Sequence, residues 1–222
     1  MDRDQLHTER ITSVLTVISA FLMGFIDAYT FLQLDHVFVS AQTGNMVTYG
    51  IKLVTGSGYE AFANVMSFLG FLVGAFLGEF LLARLNKSGL RRYRLFLYVQ
   101  AILLLILAMF QAQIQLNVMV FTLGILSGYA LTTFRRFRST PVNTGIMTGN
   151  ARNMMNDLYR IIFYKDAEAK AEMLHLFIII LSFIVGVGVS ATVIDWNPAA
   201  ILWIALGTVS LSITALFFYR WT

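Results

Sequence analysis

The segments Thr43-Gly44-Asn45 and Thr148-Gly149-Asn150 lie 105 residues apart, each in a polar, small-residue stretch of an otherwise apolar chain. Thr and Asn are good helix N-caps, and Gly permits unusual backbone angles. A helix starting there would leave several amide N–H groups without intrahelical partners. If such a start dips into a membrane, those donors could face a passing solute or anion. Irregular backbone at that depth is tolerated only inside protein or along a wet cavity. The plainer reading is a pair of loops that cap interfacial helices outside the hydrocarbon. The run Ser40-Ala41-Gln42 precedes the first copy, and Asn143-Thr144-Gly145 precedes the second. Together with Asp27, the candidate pathway residues are Ser40, Thr43, Gly44, Asn45, Asn143, Thr144, Thr148, Gly149 and Asn150.

Asp27 interrupts an apolar run, Gly24-Phe25-Ile26-Asp27-Ala28-Tyr29. Ionisable residues within spans are costly and often mark ion or substrate paths. The bland alternative is an acid near the outer boundary. Glu79 lies close enough to Arg84 to reach the inner headgroups. Arg135, Arg136 and Arg138 could draw an anion to the cytoplasmic mouth, although setting topology is their plainer role. The chain has no cysteine, and His7, His36 and His175 are widely spaced. No metal site and no cofactor are expected. Phosphate-loop, dinucleotide, zincin and nucleophile-elbow motifs are absent from the sequence, so no enzyme is expected.

These residues need a membrane scaffold. Of the 222 residues, 58% are hydrophobic and 13% charged, against about 25% charged in a soluble domain. Apolar runs are continuous rather than alternating, which argues against a barrel. Runs near the 20 residues a bilayer crossing requires fall at about 11–32, 62–83, 95–113, 117–134, 172–193 and 199–219. The first is too long for a signal-peptide core and is read as span one. Of the sixteen Lys and Arg residues, all but Lys52 fall on one face of this six-span arrangement. The positive-inside rule places that face, with both termini, in the cytoplasm. The net charge of +4 thus reflects orientation, and no nucleic-acid partner is expected.

Each signature follows one span and precedes two more. Three crossings per copy is odd, so the copies should be inverted relative to each other. The expected fold is all-α and polytopic, a single integral domain over residues 1–222. It has two inverted three-helix repeats, about 11–113 and 115–220, and re-entrant or interfacial TGN segments. Span two carries Gly70, Gly74 and Gly78, and span five carries Ser182, Gly186 and Ser190. Small residues at i, i+4 and i+8 share a helix face and allow close helix packing in lipid. They could join spans two and five within one chain or between copies in a homo-oligomer. These helices are offset by 112 residues, and the seven extra fit a polar insertion around Tyr164 to Lys170. The TGN segments predict helices over Asn45–Leu53 and Asn150–Tyr164. Arg152, Asn156 and Arg160 recur at i+4 in the second, which reads as a helix along the cytoplasmic interface.

The run Gly24-Phe25-Ile26-Asp27-Ala28, then Phe38-Val39-Ser40 and Thr43-Gly44-Asn45, resembles the first-half signature of the YoaK-like bacterial membrane proteins. Phe134-Arg135-Arg136 and Thr148-Gly149 are similar to its second-half signature. The resemblance covers essentially the whole chain and implies a multi-pass protein of the bacterial inner membrane, in a family of uncharacterised function. Members often carry a Gln-Asn pair shortly before the paired arginines, where this chain has Ala130-Leu131. The leading functional expectation is a small-solute transporter or channel, with Asp27 tuning charge or binding a cation or proton. A non-transporting module that binds a partner protein or lipid is the alternative, and a membrane enzyme is a distant third.

Overall fold

The computed structural model describes residues 3–56, 61–85 and 90–218. Lys87 and Arg220, counted among the basic residues above, lie outside the described residues. Eight helices run in order among the described residues: α1 (Arg3–Gln33), α2 (Gln42–Thr55), α3 (Phe62–Leu85), α4 (Arg91–Phe110), α5 (Leu116–Thr133), α6 (Met147–Tyr164), α7 (Ala167–Trp196) and α8 (Ala200–Phe218). A two-stranded ladder, β1 (Arg136–Phe137) and β2 (Thr140–Pro141), sits between α5 and α6. Six helices, all but α2 and α6, are long and apolar enough to cross a membrane. They coincide with the six predicted spans to within a few residues, apart from α1 and α7. Those two extend further at their N-terminal ends, α1 to Arg3 and α7 to Ala167.

Continuous apolar sequence makes these segments helical because lipid offers the backbone no other hydrogen-bond partner. Local signals end the shorter helices. Gly56 closes α2 in the left-handed region at φ 86°, its N–H donating to the Lys52 carbonyl. Lys165 closes α6 with φ 53°, and Asp166 caps α7 by accepting from the N–H groups of Glu168 and Ala169. The expected polar insertion is therefore a two-residue turn, because the extra residues are absorbed as added helix at the end of α6 and the start of α7.

The spans pair across the two halves. α1 packs on α7, α5 on α3, and α4 on α8. Glycines mediate the first two contacts. A Cβ at Gly24 would strike the Phe183 carbonyl, and one at Gly186 would strike that of Phe21. In the other pair, Gly128 meets Phe71 and Gly74 meets Ile125 in the same way. Gly70 abuts Phe121 and Gly78 abuts Thr132. The small faces of spans two and five thus each receive a helix of the other half. Ser190 is fully buried on α7, while the Ser182 hydroxyl turns back to the Ile178 carbonyl. Burial follows the pairing: 67% of the span in α1 and 61% of that in α5 is buried, against 22% in each of α3 and α7. The outer faces carry exposed apolar side chains such as Phe76 and Leu211, the surface that lipid covers.

Candidate functional site

The connection from α5 to α6 is positioned by α1. The Arg136 carbonyl accepts from Thr16 Oγ1 at 2.9 Å, and the Arg138 N–H donates to Ser13 Oγ at 2.9 Å. Seven residues later the Gly145 carbonyl lies 3.0 Å from Ser40 Oγ, and Ser40 is bound to Asp27. Ser13 and Asp27 are separated by about 21 Å along α1 at a rise of ~1.5 Å per residue. Residues 138–145 connect these two levels through the turn at 138–139, the short strand at 140–141 and a bend at 144–145. From there α6 runs back beside α7, to where Arg160 pairs with Glu172. From the same centre α2 runs the opposite way, to where Lys52 pairs with Asp35 beyond the end of α1. Two short helices therefore begin at one central point and diverge.

The TGN residues sit inside the first turn of each helix, because α2 begins at Gln42 and α6 at Met147, three residues before the predicted starts at Asn45 and Asn150. The cap positions are Ala41 and Ile146, and neither helix has a side-chain cap. Thr and Asn are thus not N-caps here. Instead each Asn reaches back and clamps the residue seven positions earlier. Asn45 Oδ1 accepts the Phe38 N–H at 3.0 Å and its Nδ2 donates to the Phe38 carbonyl at 2.5 Å. Asn150 does the same with Asn143, at 2.9 and 2.6 Å. The amide side chain is suited to this because it is both donor and acceptor. It completes the backbone hydrogen bonding of a strand-like approach that has no sheet partner. Gly44 leaves room for the Phe38 ring, 3.0 Å from where its Cβ would lie.

A cavity of about 600 Å³ opens where the two segments meet. Asp27, Thr43 and Thr148 line it, together with Gln42, Gly145 and five phenylalanines: Phe31, Phe38, Phe68, Phe71 and Phe183. Its size suits a small molecule. The wall is mostly apolar, and the Thr43 and Thr148 side chains stand at the uncapped ends of α2 and α6. Asp27 is 3% exposed. Its Oδ1 accepts the N–H groups of Val39 at 2.8 Å and Ser40 at 3.0 Å, and its Oδ2 contacts Ser40 Oγ. In the second segment the N–H groups of Gly145 and Ile146 are taken by Asn143 Oδ1, at 3.1 and 2.8 Å.

The predicted residues divide accordingly. Asp27, Thr43 and Thr148 line the cavity, and Ser40 is fully buried against Asp27. Asn45, Asn143, Asn150 and Gly44 shape the backbone around it. Thr144 is fully buried, its hydroxyl without a hydrogen-bond partner among the described residues. A Cβ at Gly149 would meet open space. Glu79 of α3 pairs with Arg135, just beyond the end of α5. α6 lies along α7, with Asn150 and Asp157 buried and Met155, Tyr159 and Phe163 exposed. The aromatic wall was not foreseen, although Phe71 and Phe183 hold the same place in the matched small-residue helices and could have signalled it.

Six apolar spans, outward apolar faces and an irregular centre enclosed by helices define a polytopic α-helical integral membrane protein. Residues 15–215 match the family described as "Protein of unknown function (DUF1275)", and the chain belongs to it. It is similar to the UPF0700 transmembrane protein YoaK of Bacillus subtilis (strain 168), with 20% identity over 152 residues that cover 64% of this chain. The match spans about 65% of the length of that relative. No solved structure matches the chain.

Proposed function

We propose that the protein is a small-solute transporter or channel of the bacterial inner membrane, built from two inverted repeats with both termini in the cytoplasm. The observation that carries this reading is the meeting of the two TGN segments beside one ligand-sized cavity, linked by Ser40 and Gly145. Segments approaching from opposite faces can meet only near the middle of the bilayer, which makes both re-entrant. Irregular backbone at that depth fits a substrate path enclosed by protein. The matched contacts of α1 with α7 and of α5 with α3 support the inverted arrangement. The uncapped first turns of α2 and α6 offer backbone donors to a solute, while the phenylalanine wall favours one with apolar or aromatic surface.

The test is solute flux in proteoliposomes over a broad panel of small molecules. Flux in the wild type should fall at least tenfold in Asn45→Ala, whose clamp holds the first segment in place. A panel that yields no flux, or an established flux indifferent to Asn45→Ala, would overturn the proposal.

A further inference from the structure

The hydrogen bonds around Ser40 contain a conflict of donors. Ser40 Oγ contacts two acceptors, Asp27 Oδ2 and the Gly145 carbonyl. A hydroxyl has one proton to donate. The Gly145 carbonyl is an acceptor only, and so is an ionised carboxylate. Both contacts can be hydrogen bonds only if the second proton resides on Asp27, with Oδ2–H donating to Ser40 Oγ and the Ser40 hydroxyl donating to Gly145.

We infer that Asp27 is a proton-binding site whose occupancy switches the one hydrogen bond by which Ser40 joins the first segment to the second. With the proton bound, the chain Asp27–Ser40–Gly145 is complete and the halves are latched. When the proton leaves to water, the Ser40 hydroxyl turns to the carboxylate, which then accepts three hydrogen bonds from residues 39–40. The buried Gly145 carbonyl loses its donor, and the latch opens. One O–H bond forms or breaks at Asp27 and no other covalent bond changes.

The surroundings leave this exchange to the proton. In the cavity that Asp27 lines, α7 presents Phe183, Val187 and Ala191, α3 presents Phe68 and Phe71, and α2 presents Gln42, Thr43 and Met46. None of these is charged or titratable. The salt bridges among the described residues lie elsewhere, at Asp35, Glu79 and Arg160. Oδ1 is committed to two backbone amides, so the carboxyl does not offer a metal cation the set of oxygens it needs. Ser40 and Gly145 are also 105 residues apart, the same offset as the two TGN copies. The latch therefore joins equivalent positions of the two halves, where a relative movement of the repeats is felt first. Its use in coupling solute movement to protons rests on the transport reading; the latch itself does not.

The test is infrared pH-difference spectroscopy on the full-length protein in lipid nanodiscs. The wild type should show a carboxylic-acid C=O band that is lost in Asp27→Asn and moves to higher frequency in Ser40→Ala. A second measurement keeps the carboxyl intact. Cβ atoms at Gly50 and Gly149 meet open space, and the natural chain has no cysteine. Spin labels on Gly50→Cys and Gly149→Cys should report an α2–α6 distance that changes with pH, and Ser40→Ala should abolish the change. The inference is overturned if Asp27→Asn removes no acid band at any pH where the protein stays folded. It is equally overturned if the band is indifferent to Ser40→Ala, or if the label distance does not change with pH. A protein that shows the band and the distance change yet moves no solute keeps the latch and refutes transport. Flux without either keeps transport and refutes the latch.

Discussion

The two TGN segments solve one backbone problem with different chemistry. In both, an Asn clamps the residue seven positions earlier through both of its backbone groups. The next amides must also be satisfied. In the first half a distant carboxyl, Asp27 on α1, takes the N–H groups of Val39 and Ser40. In the second half a local side chain, Asn143, takes those of Gly145 and Ile146. The α5 residue beside Gly145 is Leu131, whose Cδ1 is 3.0 Å from where a Gly145 Cβ would lie. One half thus holds its loop with a group that can gain or lose a proton, and the other with groups that cannot. The clamp is common to both halves because geometry alone requires it. The asymmetric part is where chemistry can be gated.

The largest effects should be equal in the two halves. Gly186→Leu drives a side chain into the Phe21 carbonyl, and Gly74→Leu does the same at Ile125. Backbone cannot give way as a rotamer can, so each should cost about 3 kcal/mol or more. The loss of monodisperse protein on size-exclusion chromatography after extraction would register it. A large difference between the two variants would break the equivalence of the α1–α7 and α3–α5 contacts. Asn45→Ala and Asn150→Ala come next. Asn150→Ala leaves the Asn143 N–H and carbonyl unpaired, while Asn45→Ala leaves the Phe38 N–H unpaired and takes the acceptor from Asn64 Nδ2, with Ser67 Oγ still donating to the Phe38 carbonyl at 2.7 Å, at roughly 1–3 kcal/mol per group. Thermal unfolding in detergent should show similar losses of about 2–6 kcal/mol for both.

A smaller effect sharpens the contrast itself. Leu131→Asn puts a polar group beside Gly145. Partly buried apolar contact is lost and hydrogen bonds are gained, so stability should change by only about 1 kcal/mol. The informative readout is the pH dependence of the α2–α6 label distance. A polar side chain here can serve the Gly145 region whatever the state of Asp27, so the distance should respond less to pH than in the wild type. An unchanged response would mean that Leu131 does not set the difference between the halves.

The six membrane-length helices and the carboxylate enclosed in the first of them could be read in the sequence, because apolar length and a lone acid in an apolar run are local signals. The role of the TGN asparagines could not. Asn is a common N-cap, and nothing in three letters shows that the helix starts at Gln42 and that Asn45 bonds backward to Phe38. The hairpin at 136–141 was equally hidden, since its two-residue strands are held by Ser13 and Thr16 of a distant helix. The cavity wall escaped because a phenylalanine in an apolar span is ordinary until a second element leaves space beside it.

The smallest effect concerns the outer ends of the short helices, where the halves differ again. At the end of α6, Arg160 binds Asp157, Asp166 and Glu172 together, whereas Lys52 on α2 pairs with Asp35. These pairs are partly exposed, apart from the buried Asp157, and such pairs each contribute little to global stability, so Arg160→Gln should lower the unfolding midpoint only modestly. Its signature is local and pH-dependent. Hydrogen bonds from the Arg160 guanidinium hold the Asp166 carboxyl below its ordinary range, aided by the amides of Ala169 and Glu168. A carboxyl depressed in the folded state stabilises above its unfolded value and loses that contribution as pH falls through the folded one. The α6–α7 turn should therefore stay protected from amide exchange at neutral pH and open progressively below about pH 4. In Arg160→Gln that opening should begin at a higher pH, because the remaining backbone amides depress Asp166 less. Equal opening profiles in the two proteins would show that the turn is held by its helical backbone alone, and would remove the charge network from the list of differences between the halves.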